Sequence, residues 1–84
     1  MNENVQEVLN YRVSDLRKEG GLSQHQLAKV VGVNRKIIQL IECDPSYNPG
    51  IHAIKSLADY FDVSIDYLIG RSDRRNGFFN VNWR

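Results

Sequence analysis

The sequence predicts an all-α fold of five short helices, followed by a C-terminal extension with the pattern of a β-strand. Apolar residues recur three or four positions apart in five successive segments, which is the spacing of one face of a helix. Serine, asparagine and glycine residues that begin or end helices stand between these segments. Strict alternation of apolar and polar residues, which is typical of a strand, occurs only after residue 76.

The first two helices are separated by a glycine pair. The first is expected over residues 4–19, and its apolar positions are Val5, Val8, Leu9, Val13 and Leu16. Gly20 and Gly21 end it, because glycine readily adopts the left-handed conformation that follows a helix. Ser23 begins the second helix and forms a capping box with Gln26, three residues later.

One loop divides the last three helices. Asn34 is a good cap for a third helix that extends to about Cys43. The segment DPSYNPG then forms a loop, because its prolines and glycine break regular structure. A fourth helix follows, with apolar residues at positions 51, 54, 57, 58 and 61. Ser64 caps a fifth helix that Gly70 closes, so residues 1–70 are expected to form one domain.

Residues 71–84 differ in character from the helical body. RSDRR is polar and charged, whereas NGFFNVNW alternates and places Phe79, Val81 and Trp83 on one side. A single strand is not stable alone, so this segment is expected to pair with the same segment of a second chain, or to pack onto the fifth helix of that chain, and so to form a homodimer. The alternative is a tail that folds back over its own helices.

Composition excludes several classes of protein. The chain has 84 residues, enough for one small domain, and its hydrophobic share of 42% and charged share of 25% are ordinary for a globular protein. No apolar run is long enough for a membrane span, and the first residues lack the pattern of a secretory signal. Cys43 is the single cysteine, which excludes an internal disulfide and favours a cytoplasmic location.

The net charge is only +1, but the charges are unevenly distributed. Residues 1–70 carry seven Lys and Arg against nine Asp and Glu, whereas residues 71–84 carry four Arg against one Asp. Residues 23–41 contain three basic residues and no acidic one. A local basic patch attracts an anionic partner even when the total charge is close to zero.

Residues 23–43 have the spacing of a helix-turn-helix, in which two short helices cross closely at a tight turn. Ala28 is the small residue that a close crossing requires, and Gly32 permits positive φ in the turn. Ile38 and Ile41 then form the buried stripe of the second helix of the motif, which is the third helix of the chain. An unrelated helical hairpin is the competing interpretation, and the combination of features favours DNA binding.

Two stretches, LSQHQLAKVVGVNRKIIQLIE and NPGIHAIKSLADYFDVSIDYLIG, resemble the lambda-repressor-like domain of the Cro/repressor or XRE family. The resemblance covers about residues 8–70. It implies a compact five-helix domain that binds double-stranded DNA, usually as a repressor that recognises a palindrome as a dimer. The loop after the third helix departs from the family pattern, because it has Asp44 and no cation.

The polar face of the third helix is expected to read DNA. A helical projection at ~100° per residue places its buried isoleucines on one side and the expected DNA contacts on the other. These contacts are Arg35, Lys36, Gln39 and Leu40. Arg and Lys pair with guanine, Gln pairs with adenine, and Leu suits a thymine methyl group. The alternative for Leu40 is a partly covered packing residue.

Three further residues are expected at the DNA backbone. Gln24 opens the second helix; in similar motifs this position touches a phosphate or braces the recognition helix. Asn34 combines its capping role with a phosphate contact. Lys29 suits a backbone contact, although a merely solvated lysine fits the pattern equally well.

Enzymatic chemistry is not expected. His25 and His52 are far apart in sequence and have no metal-ligand partner at suitable spacing, so neither a metal site nor a cofactor is predicted. No phosphate-binding loop or nucleophile motif stands out. The alternatives to a regulator are a protein-interaction module and an antitoxin that also binds a toxin, so a protein antagonist or toxin is a second expected kind of partner.

Overall fold

The computed structural model describes residues 5–75. Within this range the chain forms five α-helices and no strand, which confirms the all-α prediction. The helices are α1 (Val5–Glu19), α2 (Gln24–Val31), α3 (Arg35–Cys43), α4 (Ile51–Phe61) and α5 (Ile65–Leu68). The strand expected around Phe79, Val81 and Trp83 lies outside the described residues.

The boundaries of α2 and α3 follow the capping residues of the sequence. The Ser23 hydroxyl accepts a hydrogen bond from the Gln26 N–H (3.0 Å), and the Ser23 N–H donates to Gln26 Oε1 (2.8 Å). Gly32 ends α2 with a φ of 75°, in the left-handed region. The Asn34 side chain accepts from the Lys36 N–H (2.7 Å) and begins α3. These local hydrogen bonds satisfy main-chain groups that a helix end leaves unpaired.

The two ends of α4 are less conventional. Gly50 precedes the helix and provides no side-chain hydrogen bond to it. Asp62 ends the helix with a φ of 58°, the positive-φ conformation that glycine usually supplies. Its N–H donates to the main-chain oxygens of Ala58 and Asp59. Aspartate tolerates this conformation better than most residues, so α4 ends without a glycine.

One hydrophobic core joins all five helices. Its buried members are Leu9, Val13, Leu16, Leu27, Ala28, Ile38, Ile41, Ala53, Leu57, Ala58 and Leu68. Ala28 is buried on α2, and Ile38 and Ile41 are buried on α3, as the spacing of the helix-turn-helix requires. Burial of this continuous apolar surface is the main force that fixes α3 on the rest of the domain.

Residues 71–75 remain attached to the helical body beyond the expected boundary at residue 70. The N–H of Arg71 donates to the main-chain oxygen of Asp66 (2.8 Å), and the main-chain oxygen of Arg75 accepts from the Ser64 N–H. Arg12 of α1 also contacts this segment. The first five residues of the C-terminal extension are therefore part of the folded unit.

Candidate nucleic-acid interface

The face of α3 that points away from the core is polar. Arg35, Lys36 and Gln39 are exposed, and Asn34 is exposed at the start of the helix. Ile38 and Ile41, on the opposite side, are 0% and 2% exposed. The structure therefore brings the Gln39 amide and the charged groups of Arg35 and Lys36 together on one accessible surface, which we call the α3 face.

Two apolar residues border the α3 face. Ile37 is half-buried and packs against the core. Leu40 is also half-buried, but it does not belong to the group of side chains that pack against the core cluster. The exposed part of the Leu40 side chain is available for an apolar contact with a ligand.

An ion pair that is largely shielded from water anchors the C-terminal part of α3 on α1. Arg17 Nε donates to Glu42 Oε2 (2.7 Å), and Arg17 Nη2 donates to Glu42 Oε1 (2.9 Å). The side chains are only 14% and 4% exposed, and Arg17 Nη1 also donates to the main-chain oxygen of Leu22 (2.8 Å). The hydrogen bonds to Glu42 raise the pKa of Arg17 above its ordinary value. Such a two-point contact fixes the orientation of α3 as well as its position.

Gln24 joins the same network from α2. Its Nε2 donates to Glu42 Oε1 (3.1 Å), so the side chain contacts the end of the helix that carries the α3 face. Of the two roles expected for Gln24, this geometry matches the bracing one, and Gln24 remains a candidate for a phosphate contact because it is only half-buried.

The sequence pattern contained a signal for this ion pair that the sequence reasoning missed. Arg17 follows Val13 by four positions, and Glu42 follows Ile38 by four. Val13 and Ile38 are fully buried, and residues four positions apart lie on the same face of a helix. Each charge therefore falls on the side of its helix that faces the core. An acid and a base on core-facing stripes of two helices indicate a buried pair, because an unpaired buried charge is strongly unfavourable.

Asn10 of α1 supports the same end of α3. With the nitrogen of its amide turned towards α3, it donates to the main-chain oxygens of Ile41 (2.6 Å) and Glu42 (2.7 Å). The last carbonyl groups of a helix lack partners within the helix, so this amide satisfies two of them. Side chains from α1 and α2 thus hold the end of α3 in place.

The remaining predicted contacts lie on the surface around α3. Lys29 is exposed in the last turn of α2. The loop after α3 begins with Asp44, whose carboxylate accepts from the hydroxyl (2.6 Å) and the N–H (2.9 Å) of Ser46. These hydrogen bonds lower the pKa of Asp44, so the loop carries a negative charge at neutral pH.

Other kinds of site are not found in the part of the chain that the structure describes. No group of three or more His, Cys, Asp or Glu side chains is placed to hold a metal ion there. Nor does any helix of this part combine the length and the apolar character needed to cross a membrane.

Comparison with known proteins decides the family. A helix-turn-helix family model matches residues 13–68, a range that runs from the middle of α1 to the end of α5. The chain belongs to the XRE-type helix-turn-helix family of DNA-binding regulators. It is therefore a DNA-binding regulator and not an enzyme.

Curated relatives agree with this assignment. The chain is 30% identical over 78 residues to the HTH-type transcriptional regulator SinR of Bacillus licheniformis, with 90% of this chain and 70% of the relative aligned. It is 31% identical to SinR of Bacillus subtilis, with 74% and 56% aligned. An uncharacterized HTH-type transcriptional regulator of Archaeoglobus fulgidus is 35% identical, with 68% and 80% aligned. No solved structure matches the chain with significance.

Proposed function

We propose that this transcriptional regulator is a repressor that binds a palindromic operator as a dimer, with α3 in the major groove. The observation that supports the proposal is the α3 face, which presents Arg35, Lys36 and Gln39 to solvent on a helix anchored from behind. No acidic residue occurs between residues 23 and 41, so the surface around the α3 face attracts phosphate.

Each residue of the α3 face has a chemical role in this proposal. Lys36 bonds to the acceptor atoms of guanine, and Gln39 forms a paired hydrogen bond with adenine. Arg35, at the start of α3, reads a base or binds a phosphate. Leu40 contacts a thymine methyl group beside Gln39.

The surrounding residues position the domain on the duplex. Asn34, Lys29 and Gln24 are exposed or half-buried near the starts and ends of α2 and α3, where they contact the phosphate backbone. Such contacts fix the register of the protein but carry no sequence information themselves. The α3 face supplies the sequence preference.

The dimer follows from the small size of the reading surface. One helix-turn-helix makes few base contacts, so specific binding usually needs two domains on half-sites about one helical turn apart. Phe79, Val81 and Trp83 form an apolar alternating segment that would join two chains in a two-fold arrangement.

A protein-interaction module is the second candidate function. It is favoured by Asp44, which places an ionised carboxylate in the loop after α3, and by the excess of acidic over basic residues in residues 1–70. An antitoxin would combine both functions, because it would bind DNA and a toxin.

Selection of bound duplexes from random DNA tests these functions. The repressor proposal predicts an enriched palindrome with two half-sites whose centres lie about 34–36 Å, or one helical turn, apart. A variant with Lys36→Ala should enrich a motif with a relaxed preference at one position in each half-site. If the wild-type chain enriches no sequence under low-salt conditions, the proposal of a sequence-specific repressor is wrong and the interaction module is favoured.

A further inference from the structure

In the part of the chain that the structure describes, the polar contacts that join α3 to other helices all lie at its C-terminal end. The Glu42 carboxylate accepts hydrogen bonds from Arg17 of α1 and Gln24 of α2. The Asn10 amide donates to the main-chain oxygens of Ile41 and Glu42. We call the four side chains Asn10, Arg17, Gln24 and Glu42 the clamp.

The opposite end of α3, which carries Arg35 and Lys36, is held differently. Its hydrogen bond is local, from the Lys36 N–H to the Asn34 side chain. Ile37 and Ile38 hold it on the core through apolar contacts. Such contacts are non-directional, so they restrict the tilt and the rotation of a helix less strictly than hydrogen bonds do. The direction of the α3 face therefore depends on the clamp.

The clamp holds the end of α3 from points that are well separated. Asn10 and Arg17 are seven residues, or about 10 Å, apart along one face of α1. Arg17 also donates to the main-chain oxygen of Leu22, which precedes α2, and Gln24 contacts Glu42 from the first residue of α2. A helix fixed at one point can turn about that point, whereas several separate contacts oppose the turn. The clamp therefore fixes the angle of α3 to both α1 and α2.

We propose that the clamp is a positioning device for sequence reading, in which Asn10, Arg17 and Glu42 are positioning residues for the α3 face. The inference rests on the proposed function, in which α3 reads base pairs in the major groove. It adds that the accuracy of reading depends on side chains that do not belong to the α3 face.

Distance from the clamp makes the reading residues sensitive to small rotations. Lys36 lies six residues before Glu42, or about 9 Å along the helix axis, and Gln39 lies three residues, or about 4.5 Å, before it. A tilt of about 10° around Glu42 moves Lys36 by about 1.6 Å and Gln39 by about 0.8 Å. A binding group must stay within about 0.5 Å of its productive position. Loss of the clamp should therefore weaken reading more at Lys36 than at Gln39.

The double variant Arg17→Met/Glu42→Met separates orientation from stability. Replacing both partners of a shielded ion pair by apolar side chains is often close to neutral for stability, because the desolvation cost of the charges disappears with them. Methionine fills the space but provides no strong directional hydrogen bond. Asn10 then remains as the polar contact at the end of α3, a single place about which the helix can turn.

The matched control is Lys55→Met/Asp59→Met. It also replaces one basic and one acidic residue by two methionines, so neither variant changes the net charge that attracts DNA phosphates. The Lys55 and Asp59 side chains form an ion pair on α4 and are 65% and 68% exposed. Their loss leaves the clamp intact.

Discrimination between single base pairs is the decisive readout, under conditions in which urea denaturation shows all the proteins to be folded. Competition binding compares the selected duplex with duplexes that carry one changed base pair in each half-site. The variants Lys36→Ala and Gln39→Ala identify the base pair that each residue reads. The clamp variant should discriminate several-fold less than the control at the Lys36 position, with a smaller loss at the Gln39 position.

Two results with a folded clamp variant would overturn the inference. One is affinity and discrimination equal to those of the control at both positions. The other is a lower affinity for every duplex with unchanged discrimination, because a general loss of binding would show that the clamp does not direct the α3 face towards particular bases.

Arg17→Lys provides a second test that keeps the charge and remains decisive if the double variant does not fold. Lysine is a point charge and lacks the planar fork with which Arg17 contacts both oxygens of Glu42. This variant should show the same pattern with a smaller loss of discrimination. A folded Arg17→Lys variant with the full discrimination of the wild type would also refute the inference.

The wild-type data separate this inference from the proposed function. A wild type that prefers no sequence would overturn both together. A wild type that selects an operator, and a folded clamp variant that reads this operator equally well, would overturn the inference alone and leave the proposed function intact.

Discussion

Replacing Glu42 with methionine is expected to lower the free energy of unfolding by about 3–5 kcal/mol, because it leaves the Arg17 guanidinium buried without its counter-charge. The Arg17 side chain is only 14% exposed, so water can replace the carboxylate only in part. The measurement is urea denaturation of the wild type and the variant. Arg17→Met should cost a similar amount, since it leaves the Glu42 carboxylate unpaired at 4% exposed.

The double variant Arg17→Met/Glu42→Met should recover most of that loss, because replacing both partners of a buried pair by apolar side chains is often close to neutral. The Lys55–Asp59 pair provides a control, since its side chains are 65% and 68% exposed. Lys55→Met should change stability by less than about 1 kcal/mol. A Glu42→Met variant as stable as Lys55→Met would contradict the anchoring of α3 by this pair.

Gly70→Ala is expected to lower the free energy of unfolding by about 2–5 kcal/mol. Gly70 has a φ of 86°, which strains any residue with a Cβ. A Cβ at this position would also lie 2.8 Å from Val8 Cγ1, so it would force α1 and the end of α5 apart. Thermal or urea denaturation measures the loss.

Gly21→Ala separates the two causes. Gly21 has a similar φ of 71°, but a Cβ there would meet no atom within 4 Å. This variant should lose only the cost of the left-handed backbone, about 1–2 kcal/mol. Equal losses for the two variants would mean that Val8 moves aside and that the close packing at Gly70 adds nothing.

Local signals explain why the helices could be predicted from the sequence. Ser23, Asn34 and Ser64 each accept a hydrogen bond from an N–H two or three residues later, and such contacts depend only on neighbouring residues. The α3 face was predicted for a similar reason, because the helical period alone places Ile38 and Ile41 opposite Gln39. One helix end had no such signal: Asp62 ends α4 with a positive φ, a conformation that glycine usually supplies.

Contacts between distant segments account for what the sequence did not reveal. Arg17 and Glu42 are 25 positions apart, and Arg12 and Asp73 are 61 apart. Their pairing depends on how α1 packs against α3 and α5, which no local rule specifies. Residues 71–75 show this most clearly, because RSDRR reads as a solvated charged segment until Arg12 and Glu19 are seen beside it.

The central claim is that the α3 face reads base pairs, and the affinity of single variants for the selected duplex tests it most directly. Lys36→Ala and Gln39→Ala should each lose about 1–3 kcal/mol of binding free energy and relax the preference at one base pair. Lys55→Ala removes an equal charge from an exposed position on α4 and should change affinity little. If Lys36→Ala and Gln39→Ala keep both the affinity and the sequence preference of the wild type, α3 does not read the operator.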